Sequence, residues 1–223
     1  EAILNNQSEV ANKILDKEGV DVNLKNKDGD TALIVAIIKN QREIAFNILD
    51  MPGTNVNAQN EFNGTALGAA LVTDQLEIAM KILDMSSTKV NLKDINNATA
   101  LMIAIDKSQP EIAIKILDRA DVNINNQDQN DQTALMRAII KRQYEIAVKI
   151  LEKDSVNVSL LDKVGYTALM YTYPSNPFVL LKIYYKVITH KSFDIKLHYK
   201  FLLEQAVLSA IWLLIGGVAA KNR

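Results

Sequence analysis

The chain has 223 residues, 48% of them hydrophobic and 23% charged, a composition that is globular rather than disordered. With 25 Lys and Arg against 26 Asp and Glu, it lacks the basic surplus from which a nucleic-acid binder draws its affinity. No cysteine is present, which excludes disulfides, thiolate zinc sites and a cysteine nucleophile and fits a reducing compartment.

Three markers recur in one register. Thr-Ala-Leu begins at Thr31, Thr65, Thr99, Thr133 and Thr167, a step of 34 residues each time. Glu-Ile-Ala begins at Glu43, Glu77, Glu111 and Glu145, and Ile-Leu-Asp or Ile-Leu-Glu begins at Ile14, Ile48, Ile82, Ile116 and Ile150. Shared periodicity of this length marks a repeat protein. In this register Ala2 matches Ala36 and Glu9 matches Glu43, so the chain is expected to open inside a first helix, with further sequence ahead of it.

Within a unit, Leu33, Ala36 and Ile37 share one helical face, and so do Ile44, Ala45, Ile48 and Leu49. Asn40, Asp74, Ser108 and Arg142 stand in the break between the two stretches. Asn, Asp and Ser are favourable N-caps, and a Glu three residues later has capping-box spacing, so the second helix is expected to start there. Pro110 then falls in a first helical turn, where its missing N–H costs nothing. After each second helix the pattern alternates, as in Val20/Val22, Val56, Val90, Val122/Ile124 and Val156/Val158. Asn- and Asp-rich turn signals follow, predicting one half of a β-hairpin before Thr caps the next helix.

A 34-residue period also suits the tetratricopeptide repeat, but that motif has no extended Val-Asn segment between its helices. Helix, helix, hairpin resembles instead the ankyrin repeat. The matching residues are Asp28-Gly29-Asp30-Thr31-Ala32-Leu33, Gly165-Tyr166-Thr167-Ala168-Leu169 and the pairs Val22-Asn23, Val56-Asn57 and Val90-Asn91. Ala stands where that family has Pro (Ala32, Ala66, Ala100, Ala134, Ala168). Ile34, Gly68, Met102, Met136 and Met170 stand in place of its His, so the family's Thr–His bonding is expected to be missing. The resemblance implies an all-α repeat solenoid of about five to six helix-turn-helix plus hairpin units. Its array would fill residues 1–190, and residues 191–223 would form a C-terminal helical cap.

The resemblance further implies a binding face built from hairpin tips and the exposed side of the first helices, with another protein as partner, no cofactor and no catalysis. Candidate contacts just before each Thr-Ala-Leu are Lys27 and Asp28, Glu61 and Phe62, Ile95 and Asn96, Gln129 and Asn130, and Lys163 and Val164, followed by Asp30, Gln132 and Tyr166. Lys39, Thr73, Lys107 and Lys141 close the first helices. Interface energy concentrates in a few large anchors, which singles out Phe62 and Tyr166.

The other chemistry-bearing residues form no constellation. His190 and His198 lack companion ligands and read as solvated surface residues, and Gly216-Gly217 lacks the Lys-Ser/Thr of a phosphate loop. Residues 206–220 carry no charge, short of the roughly 20 apolar residues of a bilayer span. A buried cap for the open end of the array is favoured there; a membrane segment and the start of another domain stay open. The expected function is a cytoplasmic protein-interaction scaffold. Its Asn/Ile/Lys bias and altered signature resemble ankyrin proteins that intracellular bacteria deliver into host cells. The alternatives are the cytoplasmic arm of a membrane-associated protein and the targeting module of a larger enzyme.

Overall fold

A computed structural model describes residues 1–172, 185–194 and 198. The helices are α1 (Ser8–Leu15), α2 (Ala32–Ile38), α3 (Arg42–Asp50), α4 (Ala66–Val72), α5 (Leu76–Asp84), α6 (Ala100–Asp106), α7 (Pro110–Leu117), α8 (Ala134–Ile140) and α9 (Tyr144–Leu151), followed by a 3₁₀ helix at Ala168–Thr172. First helices pack on first helices (α2 on α4, α4 on α6, α6 on α8, α8 on the 3₁₀ helix). Second helices pack on second helices (α1 on α3, then α5, α7 and α9). The result is a two-layer solenoid in which each unit leans only on its neighbours.

The first helices are seven residues long, too short to persist alone in water. They hold because they are apolar nearly all round: Leu33, Ile34, Val35, Ala36 and Ile37 are all buried. The second helices bury one stripe each, such as Ile78, Ala79, Ile82 and Leu83 of α5. Thr31, Thr65 and Thr133 cap their helices through Oγ1, which accepts from the backbone N–H three residues on at 3.4, 3.1 and 3.3 Å. Pro110 occupies the first turn of α7.

The break between helices differs from the expectation. Asn40, Asp74, Ser108 and Arg142 are not N-caps of the second helices; their φ angles are +55°, +58°, +57° and +58°. They end the first helices in a Schellman turn. In the first of these turns Asn40 N donates to Ile37 O at 3.0 Å and Gln41 N to Ala36 O at 2.8 Å, and the later breaks repeat the pattern. A chain reversal this tight needs a left-handed residue, which a capping conformation does not supply. The glutamates therefore cap nothing. Glu43 accepts from Asn12 at 3.1 Å, and Glu77 pairs with Arg42 across units.

The hairpins also carry less strand than the alternation predicted. Among the described residues they reduce to isolated antiparallel bridges, Lys25 to Thr31, Lys93 to Thr99 and Gln127 to Thr133. Their positions are set by side chains instead. Gln75, Gln109 and Gln143 each donate through Nε2 to a carbonyl near the end of the first helix one unit earlier, Gln75 to Ile37 at 2.6 Å and Gln109 to Leu71 at 2.9 Å, and Gln41 donates likewise to Ile3 O in the turn ahead of α1. Asn23, Asn57, Asn91 and Asn125 each clasp the next unit twice. Asn91 Nδ2 donates to Asp121 O at 2.6 Å, and Asn123 N donates to Asn91 Oδ1 at 2.7 Å. Ser159 takes over at the next step, with its hydroxyl on Ser192 O at 2.6 Å and accepting from Asp194 N at 3.0 Å. The register thus runs on through the helical turn at residues 185–188 to Asp194.

His198 is not a solvated surface residue. It is fully buried, with Nε2 2.7 Å from Thr167 Oγ1, Nδ1 2.6 Å from Asp194 O, and its ring stacked on Phe193. An imidazole absent from the Thr-Ala-Leu segment is thus supplied to Thr167 from 31 residues downstream. His190 is half-buried and meets Ser192 Oγ at 2.9 Å. No helix among the described residues is long and apolar enough to cross a membrane; residues 206–220 lie outside them.

Candidate functional site

Each hairpin tip is closed by one Asn or Asp. The Oδ1 atoms of Asn26, Asn60, Asp94, Asp128 and Asp162 accept from the N–H groups two and four residues on, for example Asp94 from Asn96 and Ala98, both at 2.8 Å. This closure requires positive φ three residues on, found at Gly29, Asn63, Asn97, Asp131 and Gly165. Gly29 is further constrained because a Cβ there would lie 2.9 Å from Glu61 N.

Neighbouring tips are tied by one backbone bond each. Glu61 N donates to Asp28 O, Ile95 N to Phe62 O, Gln129 N to Asn96 O and Lys163 N to Asn130 O, at 2.8–3.2 Å. Lys25 Nζ, Gln59 Nε2, Lys93 Nζ and Gln127 Nε2 add a second row, each reaching the carbonyl of the equivalent residue one unit on. The five Thr-Ala-Leu sites therefore stand in line, and the tips form one continuous edge.

The sequence-derived contact residues fall on that edge and on the adjoining ends of the first helices. Lys27, Asp28, Glu61, Phe62, Ile95, Asn96, Gln129, Asn130, Lys163, Val164 and Tyr166 are exposed along the tips; Lys39, Thr73, Lys107 and Lys141 are exposed as the residues closing α2, α4, α6 and α8. Asp30 and Gln132 are half-buried and partly spent on neighbours: Asp30 Oδ1 accepts from Asn60 at 2.7 Å, and Gln132 Nε2 meets the Tyr171 hydroxyl at 3.4 Å. Large apolar side chains stay in water along this edge, with Phe62 and Ile95 59% exposed and Val164 70%. Tyr166, 49% exposed, is braced edge-on against Tyr171 with ring centroids 5.7 Å apart.

Behind the tips the residue types diverge, and so does the electrostatics. The second oxygen of Asp128, whose side chain is fully buried, is held by the Arg137 guanidinium, which also reaches Asp106 at the end of α6. Burial pushes the Asp128 carboxyl up. Arg137 and the N–H groups of Gln132 and Asn130 outweigh it and hold the group below the usual carboxylate range. The second oxygen of Asp162 accepts from the Tyr171 hydroxyl, which burial and then Asp162 push above the ordinary tyrosine range, keeping it a neutral donor.

At Asp94 the arrangement opens into a hollow of about 240 Å³. Ile38, Leu67, Val72, Leu92 and Ile103 wall it, Gly68 and Ala69 form its floor, and Asp94 and Lys89 bring charge. Gly68, Asp94 and Ile103 were not among the sequence-derived contacts. The one available signal was Gly68 itself, the smallest residue in a column otherwise filled by Ile34, Met102, Met136 and Met170.

The sequence profile for ankyrin repeats, described as three copies, matches residues 1–94 and 39–128. No curated protein matches in sequence at a significant level. Among solved structures, the chain is similar to an ankyrin repeat domain from Acinetobacter baumannii AYE (TM-score 0.68, 24% identity, covering 83% of this chain and 93% of that one). It is similar to the ankyrin repeat protein EF0377 (TM-score 0.67, 21% identity, 85% and 98%). A third likeness is to a chain from the complex of the predatory endopeptidase Bd0816 of Bdellovibrio bacteriovorus with the immunity protein Bd3460 (TM-score 0.65, 20% identity, 82% and 94%). Ankyrin repeats are in general protein-interaction modules. With the 34-residue register, paired helices and linked hairpin tips all in place, the chain belongs to the ankyrin repeat family.

Proposed function

We propose that this chain is a protein-interaction scaffold, acting by binding rather than by catalysis, and that its partner docks on the hairpin-tip edge and the adjoining first-helix surface. One observation carries the reading. The amides that clasp unit to unit, Asn23, Asn57, Asn91 and Asn125, recur at four successive steps, while the exposed positions along the edge differ from unit to unit and include bare apolar groups. A soluble surface that keeps Phe62, Ile95, Val164 and Tyr166 in water along one line has the composition of an interface. Such a scaffold works inside a cell, and the reading includes a host cell into which it is delivered. The complex of Bd0816 with Bd3460, one chain of which this chain resembles in fold, offers a parallel for an array of this kind meeting a protein partner.

Affinity capture with the whole chain tests the proposal. The wild type is expected to retain partners that the Phe62→Ala/Tyr166→Ala double variant loses. Equal retention by a variant of unchanged melting temperature would remove these anchors and, with them, the proposed face.

A further inference from the structure

The hollow beside Gly68 is built for a particular side chain, and the array itself shows which. Asp94, Asp128 and Asp162 close successive tips identically through Oδ1. Nine residues after each stands the group that faces its second oxygen. Arg137 serves Asp128 and Tyr171 serves Asp162, but Ile103 follows Asp94 and has nothing to donate. Among the described residues no group donates to Asp94 Oδ2. The equivalents of Arg137, Asp128 and Asp106 are Ile103, Asp94 and Val72, and all three line the hollow. The empty space is thus the counterpart of the one that Met102 and Arg137 share a unit later.

From this we infer that the hollow receives an arginine side chain from a partner protein, its stem lying on Ile38, Val72 and Ile103 and its guanidinium on Asp94 Oδ2. The inference rests on the scaffold reading above and deepens it. Arginine fits because its apolar stem is followed by a planar fork that meets a carboxylate with two bonds, whereas lysine offers only a point charge. At about 240 Å³ the hollow falls below the roughly 300–1,000 Å³ of small-molecule sites and suits one long side chain. Gly68 keeps it open. A Cβ at this position would meet Thr65 Oγ1 at 3.5 Å and Ile103 Cδ1 at 3.9 Å, ordinary contacts, and Gly68 has no positive φ to protect. Nothing in the fold requires glycine here, although a glycine inside a helix weakens it. Lys89, the cation at the edge, is exposed and forms no ion pair with a described carboxylate, so it leaves Asp94 open.

The test is peptide selection on the whole chain from a phage-displayed random library, counter-selected on Gly68→Met. Both key variants have precedents within the array. Met102 and Met136 fill the column at position 68, and Asn26 and Asn60 close tips as Asp94→Asn would. Selected peptides are expected to share an arginine among apolar residues. Replacing it by citrulline, or Asp94 by Asn, should each weaken binding roughly ten- to hundredfold, the range for a charged hydrogen bond. The two losses should overlap rather than add. Peptides that bind without arginine, carry tyrosine in its place, ignore Asp94→Asn, or fail to distinguish Gly68→Met from wild type overturn the inference. Binding that depends on Phe62 and Tyr166 but not on Asp94 overturns it while leaving the scaffold reading intact; indifference to all three overturns both.

Discussion

Replacing Asn91 by Ala removes both bonds of one clasp, Nδ2 to Asp121 O at 2.6 Å and Oδ1 from Asn123 N at 2.7 Å. The freed backbone groups lie near the surface, so water takes them up and no buried-group penalty is added. Two such bonds at about 0.5–1.5 kcal/mol each give a loss of about 1–3 kcal/mol. For a domain of this size that is a fall of about 2–12 °C in melting temperature. Asn123→Ala is the matched control. Its side chain makes only a local bond, accepting from Asn125 N at 3.1 Å, while its own N–H stays in the clasp, so about 0.5 kcal/mol is expected. Urea titration measures both losses, and hydrogen exchange adds a local readout because the Asn123 amide alone should lose protection early. Weakening a central contact in an array of nearest-neighbour units should also broaden the transition. If Asn91→Ala and Asn123→Ala agree within about 0.3 kcal/mol, the clasps do not hold the units together and the account of the hairpin edge is wrong.

Four further outcomes follow from the same geometry. Arg137→Ala leaves the buried Asp128 carboxylate without its counter-ion and should cost about 3–5 kcal/mol at neutral pH. Because the folded-state pKa of Asp128 is depressed, its contribution is present above the unfolded value of about 3.9 and is lost as pH falls through the lower folded value; wild type minus Asp128→Asn stability, followed from pH 7 to 2, should shrink in that window. His198→Ala removes a fully buried ring from Thr167 Oγ1 and should cost about 2–4 kcal/mol, seen as early exchange confined to residues 162–172; uniform loss along the array would count against it. Gly68→Ala should stabilise by about 0.5–1 kcal/mol, whereas Gly29→Ala, with φ +75° and Glu61 N in the way, should destabilise by about 1–3 kcal/mol; calorimetry showing the same sign for both would refute the argument.

The solenoid was legible because its causes are local and repeated. A fixed period, apolar faces and a Thr before each first helix are all written within a few residues of where they act. The inter-helix break was misread because Asn, Asp and Ser serve equally as N-caps and as left-handed residues. Arg142 held the better clue, since a long cationic side chain is no N-cap but tolerates the turn when its neighbours enforce it. His198 was illegible for a different reason. Its partner Thr167 is 31 residues away through the fold, and no spacing rule links them. The tip residues could be placed from register alone, whereas the hollow exists only as missing volume among three successive units, which no single segment encodes.

Three aspartates in one column, with three different neighbours, explain how such an array can be both regular and specific. Asp94, Asp128 and Asp162 spend Oδ1 on the tip they close, so the framework obliges each unit to carry a carboxylate or amide there. The second oxygen is left for the residue nine positions on to claim. Where that residue is Arg137 or Tyr171 the claim is met inside the chain and the surface closes; where it is Ile103 a buried-edge charge faces an apolar hollow. Recognition then needs no new framework, only the removal of one internal donor and one side chain at Gly68. Changing Ile103 to Arg should therefore close the hollow from within and abolish peptide binding there, while leaving the helices on either side as they are.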